Sequence, residues 1–291
     1  MIEFIQLVVY GVILGSIIAL GAIGVSLIFG ILRFAHFAHG DLMTVGAYIG
    51  LVLVVDMTMP LWLAFPIAMA VGAVVALGID QVVYKPLRRM PPILLLIASV
   101  GVALILRSLI EIIWGPSVQV YQTGIRPLIP YMLDEFGIRL RWQQINLFLV
   151  AAVLVAAMHA FLQYTRTGKA MRALSDNMDL ARITGIDTER TIRWMWVIAA
   201  ALAVAAGILM AIDTRAHPIM GWRMLLPIFA AAILGGIGKP YGAIAGGLVI
   251  GISQEVSTMF IDSAYKPAVS FAILVAMLIV RPQGLFGGKT S

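Results

Sequence analysis

The sequence predicts an all-α fold, a polytopic membrane helix bundle of about eight to nine membrane segments, some of them short or broken. Three observations predict it. Of 291 residues, 62% are hydrophobic and only 12% are charged, where a soluble domain carries about 25% charged residues. The apolar residues gather into long runs, and a helix needs about 20 of them to cross about 30 Å of hydrocarbon. The basic residues, which leave a net charge of +6, fall in short stretches between those runs. That is the placement expected of membrane loops, so the positive charge does not point to nucleic acid.

The first run, 7–32, carries no charge. It is too long for a signal-peptide core and follows Glu3 rather than a basic stretch, so it reads as a retained span. The run 42–55 is uncharged but short, and 57–79 is long enough to cross. The run 93–106 continues to 114 through Arg107 and Glu111, which stand four apart and can pair on one helix face. Next comes 142–164, with His159 as its one ionisable group, expected to be an interhelical hydrogen bonder. The run 194–212 is clean, 225–238 is short, 241–261 carries Glu255, and 267–280 is short and clean. Close-spaced glycines in the first span (Gly11, Gly15, Gly21, Gly24) and late in the chain (Gly242, Gly246, Gly247, Gly251) let helix backbones approach, which indicates a bundle.

The polar stretches orient the segments. Those at 80–92 (Lys85, Arg88, Arg89) and 166–193 (six Lys/Arg), with the tail holding Arg281 and Lys289, belong together in the cytoplasm. The stretch 115–141, where Asp134 and Glu135 offset part of the arginine charge, then lies outside. The N-terminal topology turns on whether 33–41 is a loop or a break within the membrane. A weak repeat at an offset of 196 sets Gly40, Gly46, Ala47 and Gly50 on Gly236, Gly242, Ala243 and Gly246. Interrupted segments in two halves point to a transporter's site.

Three groups of residues carry candidate chemistry. Between two apolar runs lie Arg33, His36, His39, Gly40 and Asp41. Either this is a cytoplasmic loop or structural break with satisfied imidazoles, or its exposed backbone and side chains line a translocation path. No cysteine stands nearby, and no metal site is expected. Glu255 lies about 21 Å along its helix, past the midplane. It either faces the path, where it would meet an ammonium group, or makes a helix–helix hydrogen bond near the outer interface. In 165–193, small apolar residues recur at helical spacing (Ala170, Ala173, Leu174; then Met178, Ala181), Asp176 or Asn177 is a candidate cap, and Gly185 a candidate stop. Two short amphipathic helices standing in water read as a docking surface.

The chain holds no recognisable energy source. Gly288-Lys289-Thr290 ends like a phosphate loop, but Gln283 stands where the first glycine belongs, and no helix follows. There is no hydrolase motif, no pair of intramembrane carboxylates and no cysteine. Uphill movement therefore requires a partner.

The motifs Gly15-Ser16, Ala19-Leu20, Leu27-Ile28-Phe29-Gly30, Phe37-Ala38-His39-Gly40, Met43 and Gly46-Ala47-Tyr48 closely resemble the opening of permease subunits of branched-chain amino acid ABC transporters, the LivH-type half better than the LivM-type. Thr167-Gly168-Lys169-Ala170, Arg172-Ala173, Ala181 and Gly185-Ile186 resemble that family's cytoplasmic coupling loop. Gly235-Gly236-Ile237-Gly238, Gly242-Ala243, Gly246-Gly247, Gly251, Glu255 and the Arg281-Pro282-Gln283-Gly284-Leu285-Phe286-Gly287 ending also match. Arg33-Phe34-Ala35-His36 is more basic than the family's usual sequence. The resemblance spans essentially the whole chain and implies a single permease domain, 1–291, containing a coupling loop at 165–193. It implies a multi-pass protein of the inner membrane with no catalytic residues or cofactor of its own. Its partners would be membrane lipid, a LivM-type second permease, two cytoplasmic ATPase subunits and a periplasmic substrate-binding protein. His36, His39, Gly40 and Glu255 are then candidates for the substrate path, and Gly168, Arg172, Asp179, Arg182 and Gly185 for ATPase coupling. Urea, short-chain amide and sugar permeases share the superfamily, and an ion-coupled secondary transporter is the alternative from another class.

Overall fold

Hydrocarbon offers no partner to a backbone N–H or C=O, so an apolar crossing segment must close its own hydrogen bonds as a helix. Each of the nine apolar runs does so. The computed structural model describes residues 2–121 and 127–286. The side chains of Asp134 and Glu135 and the Gly-Lys-Thr sequence at 288–290 lie outside the described residues.

The first crossing is α1 (Ile2–Leu32), buried along most of its length. α2 (Ala38–Leu51) ends in a π turn, Val52–Asp56. α3 (Leu61–Ile79) runs through a second π turn, Asp80–Tyr84, into the single turn α4 (Lys85–Leu87). α5 (Pro92–Trp114), a short α6 (Pro130–Phe136) and α7 (Trp142–Tyr164) follow. Two short helices, α8 (Arg166–Asp176) and α9 (Met178–Ile183), precede α10 (Thr188–Asp213). α11 (Met220–Gly235), α12 (Pro240–Ser257) and α13 (Lys266–Val280) complete the bundle. Among the described residues seven stretches are long and apolar enough to cross a membrane, and α11 is a shorter apolar helix.

The core forms around α1 and α10. α1 packs along α12 because small residues face one another: a Cβ on Gly15 would sit 2.9 Å from the Gly247 carbonyl oxygen, and one on Gly247 2.7 Å from Ala19 Cα. Backbones this close gain dispersion contacts that lipid cannot match. α10 packs against α1, α2 and α3. α3, α5, α7 and α13 keep their outward apolar faces exposed, as lipid-facing helices do.

The basic stretches collect at one end of the bundle. There Arg33 Nη2 donates to the Ser175 carbonyl (2.6 Å), Arg88 Nη1 to Glu189 (3.0 Å) and Lys239 Nζ to the Phe286 carbonyl (2.7 Å). At the opposite end the Tyr10 hydroxyl near the start of α1 donates to the Arg139 carbonyl.

Three expectations are corrected. Arg107 does not pair with Glu111 on its own helix but with Asp41 of α2. His159 makes no hydrogen bond among the described residues; its ring meets Tyr241 of α12 edge-on, at 5.5 Å. The repeat does not superpose like elements: Gly40, Gly46 and Gly50 share α2, whereas Gly236 is a left-handed turn residue (φ +106°) and Gly242 and Gly246 lie in the next helix. Glycine recurs there for close packing in two different settings.

Candidate functional site

Two crossings are discontinuous, and their broken ends meet inside the bundle. α1 stops at Leu32, where Arg33 takes φ +57°, a conformation uncommon outside glycine. The chain turns back inward, and the Phe37 N–H donates to Ser99 Oγ of α5 at 3.1 Å. α2 then restarts with His39 against Gly24 of α1. Between α10 and α11 the segment 214–219 also leaves helical conformation. Its Ala216 exchanges both backbone hydrogen bonds with Gln119, at 2.8 and 2.9 Å. The first turn of α11 meets α2, where the Gly221 N–H donates to Thr44 Oγ1 at 3.0 Å. Glycine at 40 and at 221 makes the crossing possible, since a Cβ on either would strike the other's carbonyl.

His36 and His39 are fully buried at this junction. His36 Nε2 lies 2.9 Å from the Tyr84 hydroxyl, and its ring stands edge-on to Trp196 at 5.0 Å. His39 fills the notch that Gly24 leaves in α1. Its ring nitrogens make no hydrogen bond of ordinary geometry among the described residues. Both imidazoles and Gly40 face packed protein rather than any of the larger cavities among the described residues.

In the same first turn of α2, Asp41 has no exposed side-chain surface and accepts a forked pair of hydrogen bonds from Arg107, Nε to Oδ1 at 3.1 Å and Nη2 to Oδ2 at 3.2 Å. The guanidinium lies 4.8 Å from the centre of the Trp222 ring of α11. Fork geometry and cation–π contact are the strongest arrangements open to an arginine in apolar surroundings. This cluster ties α2, α5 and α11 together. Sequence reasoning misses it because the partners are 66 residues apart. The available signal is that each is an ionised residue flanked by apolar sequence, and such residues find each other.

At the basic end, three side chains cap helices: Thr165 Oγ1 accepts from Gly168, Asn177 Oδ1 from Leu180 and Asp187 Oδ1 from Arg190, each at 2.9 Å. Gly185, at φ +86°, ends α9. Met171, Leu174 and Ala181 turn inward, while Arg172, Asp179, Arg182 and Gly185 are exposed, together with Leu180 and Ile183, the latter 80% exposed. Gly168 differs from the other coupling candidates: it is buried, and a Cβ there would strike the Phe161 carbonyl of α7, so it lets α8 fold back on α7. The sequence does not single out α4. Lys85 (3.4 Å) and Arg88 (3.0 Å) both meet Glu189 at the start of α10, and Arg88 also holds Asp80 at 2.6 Å. Between α4 and α9 runs a groove of about 910 Å³ lined by Arg33, Lys85, Arg88, Arg89 and Arg182, with Asp179 and Glu189 as its acids. Its cationic excess suits an acidic protein surface.

Glu255 lies near the opposite end of α12, where its Oε1 pairs with Lys266 Nζ of α13 at 2.7 Å. One residue earlier, Gln254 donates to Ser270 Oγ at 2.6 Å, so the two helices are stitched twice. Glu255 and Lys266 also line a cleft of about 280 Å³. Among the described residues no group of three His, Asp or Glu side chains could hold a metal ion.

The profile of the family described as "Branched-chain amino acid transport system / permease component" matches residues 7–278. The high-affinity branched-chain amino acid transport system permease protein LivH of Salmonella typhimurium is 31% identical over 294 residues, covering 98% of this chain and 96% of that one. The corresponding protein BraD of Pseudomonas aeruginosa is 30% identical over 299 residues, with the same coverage of 98% and 96%. A solved structure, PsaBC from Streptococcus pneumoniae in complex with Fab, superposes with a TM-score of 0.54 at 14% identity, over 97% of this chain and 94% of that one. That likeness concerns the fold alone.

Proposed function

Because the chain belongs to the permease-component family of branched-chain amino acid transport systems, we propose that it is the LivH-type permease of an ATP-driven importer carrying branched-chain amino acids across the inner membrane. The carrying observation is similarity at about 30% identity to permeases of that transport over 98% of the chain. It is a multi-pass transport subunit, not an enzyme, and it works within a transporter complex.

The finer assembly is part of the same proposal. A LivM-type permease pairs with this chain, two ATPase subunits dock at its basic end in the cytoplasm, and a periplasmic protein delivers substrate to the opposite end. The exposed residues of α8 and α9 and the cationic groove beside α4 support that docking surface, because a groove with five basic and two acidic side chains attracts an acidic partner. His36, His39 and Gly40 then act as the hinge of the path: they hold the junction where two broken helices meet, a construction shared by transporter sites.

The test is reconstitution. Proteoliposomes holding this chain with its partners should accumulate leucine only when ATP and the substrate-binding protein are both supplied. Charge reversal at Arg172 and Arg182 should release the ATPase subunits during purification. Uptake that survives removal of the ATPases and collapses with the ion gradient would instead identify a secondary transporter.

A further inference from the structure

The cleft beneath Glu255 has a composition that the docking and hinge assignments do not use. It opens at the end opposite the basic face, between α1, α10, α11, α12 and α13. Its charged lining includes the Glu255–Lys266 pair, whose side chains are only 14% and 26% exposed, and Arg223 from the first turn of α11. Arg223 also lines a second cleft, of about 430 Å³, that residues of the 214–219 break line too. Among the described residues its guanidinium has no hydrogen-bond or ion-pair partner. Asp213 also lines the cleft and is already partnered. Leu14, Met224 and Pro227 add apolar lining.

We infer that this cleft is a substrate-binding station for a small zwitterionic α-amino acid, with its ammonium group on Glu255, its carboxylate between Arg223 and Lys266, and its aliphatic side chain against Leu14, Met224 and Pro227. The inference rests on the proposed function and deepens it. Its physical basis is charge balance. A zwitterion adds no net charge, so it can divide the Glu255–Lys266 pair and leave every charge in the cleft with a partner. Glu255 keeps a cation, Lys266 keeps an anion, and Arg223 gains the one it lacks. The decarboxylated amine would set a third cation beside Lys266 and Arg223 and bind weakest. The deaminated keto acid would satisfy the cations but leave Glu255 without an ammonium partner, and bind less well than leucine. The position suits the role, because Arg223 stands on the helix whose first turn forms the junction with α2, so occupancy of the cleft bears directly on that junction.

The chain has no cysteine, so a single introduced thiol reports on the cleft. In the complete importer, Thr214→Cys, on the wall shared by both clefts, would be labelled with a water-soluble thiol reagent while leucine, its keto acid or its amine is titrated. Met224→Cys serves as the second reporter if the first does not assemble. Leucine at ten times its half-protecting concentration should slow labelling about tenfold, with the keto acid weaker and the amine weakest. Arg223→Gln should raise the half-protecting leucine concentration about tenfold or more, the worth of one charged hydrogen bond. The swap Glu255→Lys with Lys266→Glu should restore the yield of assembled importer but not protection, which separates substrate contact from mere bridging. Labelling indifferent to leucine in an importer that transports leucine would overturn this inference and leave the proposed function standing. Protection without leucine uptake would overturn the function and leave the site.

Discussion

Removing the carboxylate of Asp41 tests the junction directly. Asp41 is completely buried, and Arg107, with 16% of its side chain exposed, has two hydrogen bonds to it and one aromatic face above it. Breaking a buried ion pair from one side costs about 3–5 kcal/mol, because the remaining charge stays buried without its counterion. Asp41→Asn should therefore cost about 3 kcal/mol. Arg107→Gln should cost about 4 kcal/mol, since it also forfeits a cation–π contact worth about 1 kcal/mol. The double variant leaves no orphaned charge, and its two amides can still bond to each other. It should cost about 4 kcal/mol rather than the sum of about 7, a coupling of about 3 kcal/mol. The assay is equilibrium unfolding of the purified permease in mixed detergent micelles of rising denaturing-detergent fraction, followed by tryptophan fluorescence; Trp222 sits in the cluster itself. Single-variant losses that add to within about 0.5 kcal/mol in the double would refute the reasoning, because independent sites add and tied ones do not.

The other expectations concern packing, capping and docking. Gly221→Ala and Gly40→Ala place a Cβ against backbone that cannot give way, so both should sharply reduce the yield of folded protein. Gly78→Ala and Gly101→Ala, which meet nothing within 4 Å, should leave that yield equal or gain up to about 1 kcal/mol of stability. Asn177→Ala removes the cap of α9 and should cost about 1 kcal/mol locally, visible as faster amide exchange at Leu180. Ile183→Asp and Leu180→Asp alter exposed apolar groups of α9 without touching the core, so they should weaken co-purification of the ATPase subunits while the permease itself remains as stable as before.

The positions of the helices are legible in the chain itself. The run 142–164 forms α7 with the same bounds; of the two candidate caps, Asp176 and Asn177, the second caps α9, and the candidate stop Gly185 ends it. Apolar run length, cap chemistry and positive φ are local properties, and local properties can be read from neighbouring residues. The misreadings share one physical cause. Sequence spacing pairs Arg107 with the nearest acid on its own helix, whereas the burial of Asp41 on another makes that carboxylate the stronger partner. A lone imidazole in an apolar run calls for a hydrogen bond, yet α7 turns His159 toward an aromatic ring. The motif around Gly168 does not show that this residue is buried where α8 folds back on α7.

By itself, the sequence determined that this is an α-helical membrane protein of nine apolar segments, one end basic, built on the pattern of a branched-chain amino acid permease. Transfer of apolar side chains into lipid and closure of backbone hydrogen bonds act segment by segment, and motifs lie along the chain. Only the tertiary structure decided which side chains meet: Asp41 with Arg107 under Trp222, Gly40 with Gly221, and Glu255 with Lys266 in a cleft that Arg223, unpartnered among the described residues, also lines. Those contacts depend on how each helix is rotated and how deeply each broken one begins. That is settled by small residues letting one backbone approach another far away in the chain.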